Sequence, residues 1–128
     1  MHPVTRFTID RRAWLRGEGT DASWLLRLSD GKACFFGWYL RACGVPDALL
    51  GDVACPTHVP TRLLPHWIRR FSNSACVSHA AQRLMSINDD ESLTDSDREA
   101  ALITLAAAEG LSVRFLDGPA VGPTTPRP

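Results

Sequence analysis

The chain lacks the run of about 18 apolar residues that a membrane-spanning helix needs, so no membrane partner is expected. Its start, MHPVTRFTID, holds no apolar core of signal-peptide length, so secretion by that route is not expected either. Net charge is missing too, because 14 Lys and Arg residues balance 14 Asp and Glu. A nucleic-acid-binding domain ordinarily carries a basic excess, which makes nucleic acid an unfavoured partner. Lysine is almost absent: Lys32 is its one occurrence. That reads mainly as the mark of a GC-rich genome, although arginine also favours fork-like contacts at interfaces. No Gly-rich phosphate loop, nucleophile elbow or paired-carboxylate signature occurs. Catalysis therefore starts from a low prior without being excluded.

What is there is the composition of a globular protein: 128 residues, 45% hydrophobic and 22% charged. One domain is expected, over residues 1–118. Residues 119–128 hold four prolines and no aromatic, and are expected to form a disordered tail. Four tryptophans (Trp14, Trp24, Trp38 and Trp67) argue for a substantial core. Cys34, Cys43, Cys55 and Cys76 make an even count, which invites a disulfide framework. In a cytosol they would stay reduced. Charge is uneven along the chain: basic residues dominate the first 70 positions, while Asp89, Asp90, Glu91, Asp95, Asp97 and Glu99 crowd one short stretch. Two solvated faces are the plain explanation. A dipole that suits a protein partner or self-association is the alternative.

Local patterns predict the elements. Thr5, Phe7 and Ile9 alternate with polar residues as a half-buried strand. Asp10 can cap a short helical turn that carries Trp14 and Leu15 and stops at Gly17. Trp24, Leu26 and Leu28 share a parity that predicts a second strand, and Asp30-Gly31 is a hairpin turn leading to Lys32–Cys34. Helical spacing of Phe36, Tyr39, Leu40 and Cys43, closed by Gly44 and Pro46, predicts a buried helix over residues 35–43. Prolines 46, 56 and 60 leave residues 45–62 irregular. Leu64, Trp67, Ile68 and Phe71 mark one short amphipathic helix, and Val77, Ala80, Ala81 and Leu84 another. Thr94 can cap a helix over about 95–109, apolar over much of its girth and so expected to be well buried or partner-covered. Leu111, Val113 and Phe115 alternate as a last strand. The expected fold is α+β: a small antiparallel sheet with N- and C-terminal strands paired, packed against three to four helices.

Several of these segments, taken together, resemble a family of small, mostly uncharacterised proteins encoded by bacteriophages and prophages. The shared residues are Phe7-Thr8-Ile9-Asp10, Trp14-Leu15-Arg16-Gly17, Asp30-Gly31-Lys32 with Cys34 and Gly37, Ala42-Cys43-Gly44, Ile87-Asn88-Asp89-Asp90, Arg98-Glu99 and Val113-Arg114-Phe115. They run in order through most of residues 6–116. The family more often has a second Cys where this chain has Phe35. The resemblance implies a mobile-element origin and a bacterial, host cytoplasm, but carries over no catalytic residue. It also implies an accessory role: binding a host protein or nucleoprotein complex, for instance as an inhibitor of a defence nuclease of the anti-CRISPR kind.

Four groups of residues are candidates for chemistry. Arg11, Arg12 and Arg16 flank Trp14, and Trp67 stands beside Arg69 and Arg70; Arg with Trp is a hot-spot combination at interfaces. The competing explanation is Trp in the core with Arg stems over it. Cys55 with His58 and Cys76 with His79 repeat a Cys-x-x-His spacing that could ligate zinc; buried thiols beside surface histidines are the simpler account. If neither operates as a ligand set, no cofactor is needed. Cys34, just before a helix, could be an activated nucleophile for a cysteine-dependent hydrolase, with His58, His66 or His79 as base and Asn88 or Asp89 as orienter. Packing beside Phe35 and Phe36 is the alternative. Last, Asn88, Asp89, Asp90 and Glu91 followed by Glu99 imitate a calcium loop, but Leu93 sits where that loop needs Gly.

Overall fold

The computed structural model describes residues 3–19, 24–69 and 78–118. Strand β1 covers Arg6–Asp10 and runs into a short 3-10 turn at Arg11–Ala13. Helix α1 follows at Phe35–Ala42. Residues 43–65 then make three further 3-10 turns before helices α2 (His66–Arg69), α3 (His79–Asp89) and α4 (Asp95–Ala108) and strand β2 (Ser112–Leu116). Among the described residues no helix is long and apolar enough to cross a membrane.

The two strands do pair with each other, but in parallel, not antiparallel. Phe7 stands opposite Val113 and Ile9 opposite Phe115, all four buried. Alternation of apolar and polar residues has a period but no direction, so both orientations bury the same four side chains. The path of the chain decides. Helix α4 packs on β2 and reverses into it at Gly110, so β2 enters the sheet from the same end as β1. Everything between the strands serves as the long crossover that a parallel pair requires.

Helix α1 lies at the centre and buries Phe35, Phe36, Gly37, Tyr39 and Leu40. Its end is closed as the sequence predicts: Gly44 takes a positive φ of 96°, and the Val45 amide donates to the Leu40 carbonyl at 3.0 Å. Gly37 has a different reason to be glycine. The segment before the hairpin turn crosses α1 there, and a Cβ would collide with the Leu25 carbonyl oxygen. That crossing also explains why no second strand forms. Leu25 and Leu26 are both buried while Leu28 is 63% exposed, and only Leu26 bridges to Gly51. A turn does form there, but over residues 28–31 rather than two and without flanking strands, with Gly31 at φ 76° and the Arg27 amide donating to the Lys32 carbonyl at 2.7 Å.

Ser78 caps α3 and Thr94 caps α4, each accepting the backbone N–H three residues on. Helix α4 buries only the stripe Arg98, Leu102 and Ala106. Ala100, Ile103, Ala107 and Ala108 are exposed, so part of its apolar girth is left unpacked among the described residues. The expected tail at 119–128 lies outside the described residues.

Candidate functional site

Several residues singled out in the sequence, Trp14, Asn88 and Arg98 among them, converge on one polar network, and that network is internal. It begins at Asp10, whose carboxylate accepts the Arg12 amide at 3.0 Å and starts the turn after β1. The turn drives Trp14 inward to 1% exposure, with its ring 4.7 Å from that of Phe115. The Trp14 indole N–H donates to Asn88 Oδ1 at 2.9 Å. The Phe35 amide, at the first turn of α1, donates to the same oxygen at 3.1 Å. Asn88 Nδ2 donates to the Leu15 carbonyl at 3.1 Å and to the Asp89 carboxylate at 3.1 Å. The Asn88 carbonyl accepts the Gly17 amide at 2.8 Å. One carboxamide thus ties the end of α3 to the post-β1 turn and to the start of α1.

Arg98 forms the second half of the network. It is 3% exposed, and its guanidinium donates to the carbonyls of Asp90 at 2.6 Å, Leu93 at 2.7 Å and Ile87 at 3.0 Å. It therefore closes the α3–α4 loop over the last carbonyls of α3. Gly17, at φ 66°, is the close neighbour here, since a Cβ would press on this guanidinium. Sequence reasoning missed the roles of Asn88 and Arg98, although a signal existed. Ala81, Leu84 and Asn88 share one helical stripe, as do Arg98, Leu102 and Ala106. A polar residue on a buried stripe must find partners inside.

The arginines of the first candidate are largely spent on this scaffold. Arg11 grips Glu99 bidentately at 2.6 and 2.8 Å and reaches Asp117 at 3.1 Å. Arg16 lies over Trp14 at 4.8 Å and pairs with Asp95 at 2.8 Å. The charge asymmetry along the chain is thus partly consumed by ion pairs between its two ends. Arg12 remains exposed beside Asp10. Trp67 is half-buried, its N–H donating to the Tyr39 hydroxyl at 3.1 Å and its ring packed on Phe36 and Tyr39. Both tryptophans of that candidate thus belong to the core rather than to an open surface. Arg69 ends α2, but its side chain and Arg70 lie outside the described residues.

Of the zinc candidates, Cys55 is half-buried and His58 and His79 are exposed, while Cys76 lies outside the described residues. Among the described residues, no three His, Cys, Asp or Glu side chains gather as a metal site. Cys34 is buried, and burial pushes its thiol up to about 12, outweighing the amides at the start of α1 that favour the thiolate. The structure does bring Cys34 beside Asn88 and Asp89, at a cavity of about 10 Å³ also lined by Leu25, Phe35, Phe36 and Met85. That holds roughly one water, and among the described residues no histidine lines it. The calcium pattern dissolves as well. Asn88 is the hub, Glu99 belongs to Arg11, and Asp90 folds back on the amide and hydroxyl of Ser92.

No protein-family model, no curated protein and no solved structure matches this chain.

Proposed function

We propose that this is an accessory protein of a phage or prophage that works in the bacterial cytoplasm by holding a host macromolecule in a stoichiometric complex. Blocking a defence system is one concrete version. The observation that supports binding over turnover is the fate of the motif residues. Trp14, Arg16, Asn88, Asp90, Arg98 and Glu99 are all engaged with one another, with Arg11 or Asp95, or with nearby backbone, and the cavity at Cys34 admits only a water. A scaffold stiffened in this way presents a fixed outer surface, which lowers the ordering cost of binding.

The test is affinity capture from host lysate, followed by native mass spectrometry of the recovered pair. A fixed stoichiometry with no chemical change in the partner is the expected result. Recovery of background proteins alone from several hosts would defeat the reading. We take the protein to work without a cofactor. The exposed imidazoles of His58 and His79 keep zinc testable: elemental analysis of protein purified without chelator should find less than one zinc per chain, and one tightly held zinc would favour a zinc-binding protein that contacts nucleic acid.

A further inference from the structure

We infer that the docking surface is the outer face of the β1–β2 sheet, and that its partner is an extended acidic segment of another protein. This rests on the binding reading above and gives it a place. The inner face of the sheet is spent on Phe7, Ile9, Val113 and Phe115. The outer face carries Arg6, Thr8 and Asp10 on β1 beside Ser112, Arg114 and Leu116 on β2. Arg6, Ser112 and Arg114 are exposed.

These arginines differ from Arg11 and Arg16. Neither Arg6 nor Arg114 has a carboxylate partner among the described residues, whereas Asp10, the acid on that face, is taken by Arg12. Two guanidiniums with the hydroxyls of Thr8 and Ser112 form a surface of donors. Register sets their spacing. Arg6 pairs with Ser112 and Thr8 with Arg114, so the arginines stand on neighbouring strands, offset by two residues. Their Cα atoms are then about 8 Å apart. Carboxylates at alternate positions of an extended chain lie about 7 Å apart, so one strand with acids at positions i and i+2 can meet both guanidiniums. Residues 119–128 contain no Asp or Glu, so this chain's own C-terminal segment is not the complement. The outer face of the two strands carries no aromatic side chain on which a base could stack, which favours a peptide over a single-stranded nucleic acid.

The test uses the full chain and two labelled peptides, one with Glu and Ser alternating and one with Gln and Ser alternating. The acidic peptide should bind and the Gln peptide should not. The double variant R6E/R114E should bind the acidic peptide at least about tenfold more weakly. R62E/R83E, which reverses exposed arginines elsewhere, should leave binding unchanged. Circular dichroism and thermal unfolding check that both variants fold. Equal binding by R6E/R114E, or no binding of the acidic peptide by the native chain, overturns the proposal. So does tighter binding of a thymidine oligonucleotide through the same arginines, or a dimer in sedimentation that R6E/R114E dissolves. A lysate partner captured equally well by R6E/R114E overturns this face while leaving the general binding reading standing.

Discussion

Two regions of the molecule are held by different means. Around Asn88 and Arg98, side chains bond across the whole chain: Trp14 to Asn88, Arg11 to Glu99, Arg16 to Asp95. Over residues 55–65 the backbone bonds are local, with each turn closed by an amide reaching three residues back, as in His58 to Cys55, Val59 to Pro56 and Leu63 to Pro60. Val59 and Leu64 anchor that stretch in the core through apolar contact. Long-range polar bonds break only when the whole domain opens, whereas local turns can open one at a time. Stability should therefore be concentrated in the first region and mobility in the second.

The severest way to break the comparison is to remove the cation at the centre of the clamp. Arg98→Met keeps much of the stem but leaves the carbonyls of Asp90, Leu93 and Ile87 without their donor. A loss of about 4 kcal/mol is expected in urea unfolding. A loss below about 1 kcal/mol would show that water replaces the guanidinium easily. Asn88→Ala comes next. It strands the Trp14 indole N–H, the Phe35 amide and the Leu15 carbonyl, at an expected cost of about 3 kcal/mol. Trp14 fluorescence should shift to the red as its N–H meets water.

The thiols sharpen the contrast from the other side. Cys34 and Cys43 are buried at the two ends of α1, whereas Cys55 is half-buried in the locally bonded stretch. With the Cys34 thiol pushed up to about 12, iodoacetamide at neutral pH should label Cys55 at least about tenfold faster than Cys34. Peptide mapping by mass spectrometry reads the sites separately. Fast labelling of Cys34 would restore it as a nucleophile and undo the contrast.

What was legible in the sequence was what neighbours decide. Helix α1, its glycine stop and the Thr94 cap rest on spacings of a few residues, and they stand where those spacings put them. The strands were legible as a pair because both alternate, but not their direction, since a period of two reads alike both ways. The segment at 24–28 alternates on paper, yet crossing α1 at Gly37 buries Leu25 and Leu26 together. At the candidate site, the arginines could be seen but not their destinations: Glu99 and Asp95 come from the far end of the chain. Cysteine–histidine spacing likewise names ligands but not where the fold puts them, and Cys76 lies outside the described residues.

The smallest effect expected is electrostatic, and it tests whether the ion pairs at the edge of the clamp matter. Asp95 is held below the usual carboxylate range, first by its bond to Arg16. Asp30, by contrast, sits in the turn between Arg27 and Lys32, away from the clamp, and is pulled to about 2, first by its bond to Arg27. A carboxyl group whose folded pKa lies below its unfolded value binds fewer protons when folded. Its stabilisation is fully present above about pH 4, the unfolded value, and is lost as pH falls through the folded pKa. Acid unfolding should therefore steepen below about pH 4 and be flat from there to neutrality as far as these groups decide it. Asp95→Asn should flatten that acid limb by a modest margin, because Asp95 is half open to water and screened. Asp30→Asn should do the same, although it touches nothing in the clamp. If only Asp95→Asn changes the slope, the Arg16 pair acts through the clamp and the contrast between the two regions sharpens. If only Asp30→Asn does, the clamp owes its strength to Asn88 and Arg98 rather than to the ion pairs around them.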